Sequence, residues 1–150
     1  MTSGNKSNGT DILDFVGSTP LVELKNVVPR GHSRIFVKVE SQNPTGSMKD
    51  RMALSVIDRA VESGRLTPSG VVVEYTGGST GTSLAFVCAA RGYSITVVTS
   101  DAFSQEKRDH MRALGANVIE IKSEDGMTTK KLIRSMIDKA EEIGASPKAF

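Results

Sequence analysis

Asn43-Pro-Thr-Gly-Ser-Met-Lys-Asp-Arg-Met-Ala53 (NPTGSMKDRMA) stands between two stretches of different period. Before it, residues 34–40 (RIFVKVE) are apolar and β-branched and suit a strand. After it, Met52, Ala53, Val56, Ile57, Ala60 and Val61 keep helical spacing up to Gly64, a natural C-terminal stop. The quoted stretch is therefore a loop that carries a strand into a helix. Ser47 and Asp50 are spaced as a capping box, which places Lys49 in the first helical turn. The positive end of the helix macrodipole disfavours an ammonium there, and a partly buried amine so placed is a nucleophile that makes Schiff bases. A lysine that merely opens an amphipathic helix would be solvated instead, so its surroundings decide between the two.

Working outward, the same alternation recurs toward the C-terminus. Residues 71–75 form a near-continuous apolar run, 77–81 a glycine-rich turn, and 80–90 an Ala-rich helix ended by Gly92. Residues 94–99 read as the next strand, 104–114 as a helix with Ser104 as cap and Gly115 as stop, 117–121 as a strand and 127–143 as a last helix. Apolar strands alternating with helices predict a doubly wound α/β domain over 35–150, with four parallel strands (34–40, 71–75, 94–99 and 117–121) and helices on both faces. Residues 11–34, with Pro20 barring a helix through Gly17-Ser-Thr-Pro-Leu21, read as a lead-in. Residues 1–10, rich in Ser, Gly, Asn and Thr, read as a disordered tail.

Composition removes several classes of function. With 150 residues, 38% of them hydrophobic and 24% charged, the chain has the content of one globular domain. A net charge of +2 without a basic run, two Tyr, five Phe and no Trp argue against nucleic acid as a partner. No apolar run approaches a membrane span, and the polar start lacks the apolar core of a signal peptide, so the expectation is a soluble cytoplasmic protein with no membrane partner. The single cysteine, Cys88, allows no internal disulfide, and with two histidines, His32 and His110, no metal cluster is expected. Apolar neighbours make Cys88 a core thiol.

In a doubly wound sheet the loops beyond the carboxyl ends of the strands form the ligand crevice. Both the Lys49 loop and Thr76-Gly77-Gly78-Ser79-Thr80-Gly81 follow strands, so both belong to that edge. Glycines let backbone approach a ligand, and a helix N-terminus offers N–H groups to a carboxylate or phosphate. Taken alone, those glycines also suit a tight turn with close helix packing.

With these segments in view, residues 38–53 (KVESQNPTGSMKDRMA) resemble the cofactor-lysine motif of the cysteine synthase and cystathionine β-synthase family of fold-type II pyridoxal-phosphate enzymes. Gly17-Ser-Thr-Pro-Leu21 resembles that family's early G-[NS]-T-P-L signature, and TGGSTGTSLA from Thr76 resembles its substrate loop, usually T-S-G-N-T-G. The resemblance runs from about residue 12 to Phe150 and implies the small N-terminal domain of a tryptophan-synthase-β-like enzyme. It implies that Lys49 holds pyridoxal 5'-phosphate and takes the substrate's α-proton. It implies that Thr76, Gly77, Gly78, Ser79 and Thr80 bind the amino-acid carboxylate, that Ser79 also meets the cofactor, and that Asn43, Asp50 and Arg51 support the loop and helix start. The implied reaction is β-replacement or β-elimination on a β-substituted L-amino acid, such as O-acetylserine with sulfide, in a homodimer. Gly77 departs from the family's common serine and Ser79 from its common asparagine. The second, phosphate-binding domain of the family is expected to be absent from this chain, which is then inactive alone.

Two other readings stay open at this level. The chain could be a non-catalytic fragment or interaction domain. It could also be a Rossmann-type dinucleotide-binding domain, with Asp101 as the ribose-binding acid 20 residues beyond Gly81, although Thr76 then stands in place of the first glycine.

Overall fold

Three apolar, β-branched runs build the centre of the molecule: β3 (Val71–Tyr75), β4 (Ser94–Ser100) and β5 (Asn117–Ile121) pair in parallel in the order β3-β4-β5. The computed structural model of the chain describes residues 11–29 and 31–150, and the tail expected over 1–10 lies outside them. Register runs Val71↔Ser94 and Thr96↔Asn117, with β4 in the middle and buried from Ile95 to Ser100. Successive side chains of a strand point to opposite faces. Ile95 and Val97 accordingly share a core with Ala53, Ile57 and Ala60 of helix α1 (Lys49–Glu62), Leu84 and Val87 of α2 (Ser79–Arg91), and Met111 of α3 (Gln105–Ala113). Val98 looks the other way, onto Leu132 and Met136 of α4 (Lys130–Gly144). Each such buried Val, Leu, Ile or Met side chain stabilises the fold by about 1.5–3 kcal/mol, and each Ala by less. The expected doubly wound arrangement, with helices on both faces of a parallel sheet, is what these two cores make.

The parallel sheet does not contain the fourth expected strand. Residues 35–38 form β2 (Ile35–Lys38), which pairs antiparallel with β1 (Leu21–Leu24) from Leu21↔Lys38 to Leu24↔Ile35. A strand inside a two-sided parallel sheet is buried on both faces. All four residues of β2 are exposed, and its run is closed by Arg34 on one side and Lys38 on the other, so the hairpin with β1 satisfies its backbone without burying it. The place beside β3 is taken instead by residues 148–150. Val71 N–H donates to Lys148 O (2.8 Å), Phe150 N–H to Val71 O (2.9 Å) and Val73 N–H to Phe150 O (2.8 Å).

Helix ends follow the glycines. Gly92 takes φ 76° directly after α2, and Gly64 and Gly115 take φ 72° and 86° just beyond α1 and α3. Gly81 serves a different need, close approach: a Cβ there would lie 2.5 Å from Thr76 Cγ2 and 2.6 Å from Met111 Sδ. That contact seats α2 tightly on the sheet.

Cys88 lies in α2 with no exposed surface, and burial pushes its thiol up to about 12. The native protein is expected to resist alkylation at pH 8, because the thiolate is the reactive species. Mass spectrometry after iodoacetamide treatment should find Cys88 modified only when denaturant is present, and modification of folded protein at the rate of a free thiol would contradict the packing.

Candidate active site

Lys49 is the first residue of α1 and is half-buried. It lines an open crevice of about 500 Å³ with Lys38, Glu40, Met48, Arg51 and Met52. Lys38 donates its ammonium to Thr19 O, and Arg51 is paired with Glu40. Among the described residues Lys49 Nζ has neither a hydrogen-bond nor an ion-pair partner, so of these cations its amine is the uncommitted one.

The expected capping box does not form. Met48 is the N-cap residue and makes no side-chain cap, Ser47 Oγ accepts from Lys49 N–H (3.1 Å), and Asp50 turns inward. A buried carboxylate must collect donors to offset its lost hydration. Asp50, with no exposed surface, accepts from Thr45 N–H (2.8 Å), Thr45 Oγ1–H (2.5 Å) and Ser83 Oγ–H (2.6 Å). Ser83 sits in the second turn of α2, so this carboxylate ties the Lys49 loop to the helix that follows the glycine-rich loop.

A second cluster ties the same loop to the lead-in. Asn43, buried, accepts from Gly17 N–H (2.8 Å) through Oδ1 and donates through Nδ2 to Glu40 O (2.8 Å) and Glu40 Oε2 (2.9 Å). Arg51 grips Glu40 with Nε and Nη2, each at 2.9 Å, and also donates to Thr19 Oγ1 (3.1 Å), whose hydroxyl donates to Glu40 Oε1 (2.6 Å). The Arg51 guanidinium first, and the Thr19 hydroxyl second, hold the Glu40 carboxyl down at about 2 instead of 4.5. A carboxylate whose folded value is lowered stabilises the fold above its unfolded value and loses that contribution as pH falls through the folded one. Between pH 4.5 and about 2, the 17–21 and 40–51 segments should therefore loosen while the parallel sheet persists. Hydrogen exchange at Gly17 N–H against pH checks this, and Glu40→Gln should flatten the response over that window.

At the other loop, Thr76 is 6% exposed and its Oγ1 accepts from Gly78 N–H (3.1 Å) and Gly81 N–H (3.4 Å). Its hydroxyl shapes the turn from inside. Gly78 is the N-cap of α2 without a side-chain cap, Gly77 is exposed, and Ser79 and Thr80 are half-buried. The first N–H groups of a helix lack intrahelical acceptors. Among the described residues the N–H groups of Gly77, Ser79 and Thr80, and the Ser79 and Thr80 hydroxyls, have no partner, whereas Gly78 and Gly81 are satisfied by Thr76. An anion is what such a set, at the positive end of a 13-residue helix, can hold.

Asp101 is not free for a ribose. Its carboxylate accepts from Ser123 N–H (2.8 Å), Ser100 Oγ–H (3.2 Å) and Lys122 Nζ (3.2 Å), and the Ser123 backbone bond above all holds it well below the usual carboxylate range. It closes the turn after β5, which removes the acid that the dinucleotide reading requires. Sequence reasoning missed Thr45, Ser83, Thr19 and Glu40 as the ties between loops, and Phe103 against Gly77. The available signal was Ser83, a hydroxyl on the buried face of an Ala-rich helix that needs a partner.

Comparison with known proteins agrees with this arrangement. Residues 12–149 match the family described as pyridoxal-phosphate dependent enzyme. A cysteine synthase of Staphylococcus aureus is 40% identical over 133 residues, which is 89% of this chain and 41% of the relative. An O-ureido-L-serine synthase of Streptomyces lavendulae is 47% identical over 108 residues, 72% of this chain and 33% of the relative. The crystal structure of a hydrogen sulfide-producing enzyme from Fusobacterium nucleatum superposes with a TM-score of 0.83 at 34% identity, over 96% of this chain and 45% of that one. The chain thus spans less than half the length of these relatives. Matched over nearly its whole length by that family, and folded like its solved members, the chain belongs to the pyridoxal-phosphate dependent enzymes.

Proposed function

We propose that these residues are the lysine-bearing part of a site for pyridoxal-phosphate-dependent β-replacement or β-elimination on a β-substituted L-amino acid, of the cysteine synthase type. The observation that carries this reading is an amine, Lys49 Nζ, and the N–H groups of Gly77, Ser79 and Thr80, all uncommitted among the described residues, on loops tied together through Asp50 and Ser83. The residues fit the cofactor: a half-buried amine beside Met48 and Met52 suits a group held covalently by lysine, and the Ser79 hydroxyl offers a donor to its ring oxygen. When bound, pyridoxal 5'-phosphate supplies the electron sink for the charge left at the substrate α-carbon.

The chain's own residues do the rest. Gly77, Ser79 and Thr80, in the turn that Thr76 shapes through Gly78, hold the substrate carboxylate with backbone N–H groups and the Ser79 and Thr80 hydroxyls. That grip fixes which α-bond faces the base. Lys49 Nζ takes the α-proton, a role that general-base groups fill at about 10²–10⁴-fold in rate. Loss of the β-substituent, such as acetate from O-acetylserine, then opens the β-carbon to sulfide or another nucleophile. We place this chemistry in a cytoplasmic homodimer acting on small amino acids.

The 150-residue chain by itself should neither hold the cofactor at one site nor turn over. A phosphate with nearly two charges needs its own cradle of N–H groups, and the set at 77–80 is already given to the carboxylate. Without it the reacting bond is not oriented, and orientation can be worth about 7–11 kcal/mol of barrier. The test is reconstitution with pyridoxal phosphate, borohydride reduction and peptide mapping, then an assay with O-acetylserine and sulfide. Label scattered over several lysines at background turnover is expected for the chain alone. Stoichiometric label on Lys49 with turnover well above free cofactor would keep the lysine assignment and refute the inactivity. Turnover with stoichiometric label on a different lysine would refute the assignment itself.

A further inference from the structure

Gly77 differs from its neighbours in why it is glycine. Its φ lies outside the left-handed range, so its backbone accepts an ordinary residue. What opposes one is space: a Cβ there would lie 3.0 Å from Cε1, 3.2 Å from Cδ1 and 3.3 Å from Cζ of Phe103, inside ordinary contact distance, so the ring would have to give by a few tenths of an ångström. Packing and a fixed backbone oppose movement of the ring. Phe103 packs on the Val98, Leu132 and Met136 cluster, and the buried Arg108 guanidinium donates to Phe103 O and to Ser100 O (3.3 Å), pinning the segment between β4 and α3.

The ring therefore sits as an apolar wall on the exposed Gly77, next to the unpaired N–H groups of Ser79 and Thr80. A carboxylate held on that loop has its α-carbon one bond away, and the β-substituent only a few bonds further. We propose that Phe103, seated on Gly77, is a specificity-determining residue that limits the size of the β-substituent on the amino-acid donor. This rests on the functional reading given above, in which the loop grips the donor's carboxylate. The donors admitted are seryl derivatives with compact leaving groups, and bulky aromatic esters are shut out.

Two measurements test it, one of which needs no substrate. Gly77→Ser should lower the melting temperature in the parent and lower it by less than half as much in the Phe103→Ala background. In an enzyme that joins this segment to a phosphate-binding domain and is saturated with pyridoxal phosphate, Phe103→Ala should raise the ratio of kcat/KM for O-benzoyl-L-serine over O-acetyl-L-serine, with sulfide as acceptor, by about 10-fold or more, the scale on which apolar pockets discriminate size. Equal melting losses in both backgrounds would overturn the steric pairing. A change of kcat/KM by the same factor for both donors would show Phe103 to be a packing residue and overturn the specificity role. Absence of turnover in that enzyme before substitution would strike the functional reading, and it is distinguished from failure of the pairing because the melting comparison is read independently on the chain itself.

Discussion

In an enzyme that joins this segment to a phosphate-binding domain, replacing Lys49 by alanine is expected to abolish stoichiometric attachment of pyridoxal phosphate and to cut β-replacement by roughly 10²–10⁴-fold for the lost proton transfer alone. The fold should hardly notice. The ammonium makes no hydrogen bond or ion pair among the described residues, and Ala favours a helix, so the melting temperature should change little. Other lysines are poor substitutes. Lys38 is committed to Thr19 O, and Lys130 and Lys131, which also open a helix after a strand, are exposed, with Lys131 paired to Glu124 at 2.5 Å. The measurements are borohydride-trapped label per chain, steady-state rates and a melting curve. A Lys49→Ala protein that still performs β-replacement at the parent rate would refute the assignment.

Asp50→Asn should be the opposite kind of variant, costly to the fold first and to the site through it. The carboxylate offers acceptors to three donors from two elements. An amide keeps the volume but turns one acceptor into a donor, facing either Thr45 or Ser83 with a second donor. Each buried polar group left unsatisfied costs about 1–3 kcal/mol. With two such groups the loss is about 2–6 kcal/mol, or roughly 4–24 °C in melting temperature for a chain of this size. Ser83→Ala should cost less, because Asp50 keeps both Thr45 donors. Thermal unfolding of the two variants, with hydrogen exchange at Thr45 N–H, checks the order, and an Asp50→Asn protein as stable as the parent would mean that the carboxylate is not the tie between the loops.

What local sequence could determine, it did. A run such as VVVEY at 71–75 has no competing period, and the expected bounds of β3 and β5 match the structure, with β4 one residue longer. Gly64, Gly92 and Gly115 stop their helices because only the left-handed region continues the chain there without strain. The position of Lys49 at the start of α1 follows from the change of period around it, and the three matched segments were enough to name the family that the comparison then gave.

What failed was partner choice. Residues 35–38 are as good a strand by composition as 117–121, but nothing local says whether such a run joins a parallel sheet or a hairpin. Burial on both faces decides that, and β2 lies open while residues 148–150 take the place beside β3. Spacing alone equally offered Asp50 a role as a capping residue, yet the carboxylate is buried among donors that lie up to 33 positions away. Asp101 has the spacing of a ribose-binding acid and is spent on Ser123. Gly77 reads as a flexible loop residue and is instead the footprint of Phe103, 26 positions further on (103 − 77). Periodicity and backbone preference act within a few residues and can be read directly. A buried polar group or a close contact is settled by whichever distant group the finished fold brings to it, and only the tertiary structure shows which one that is.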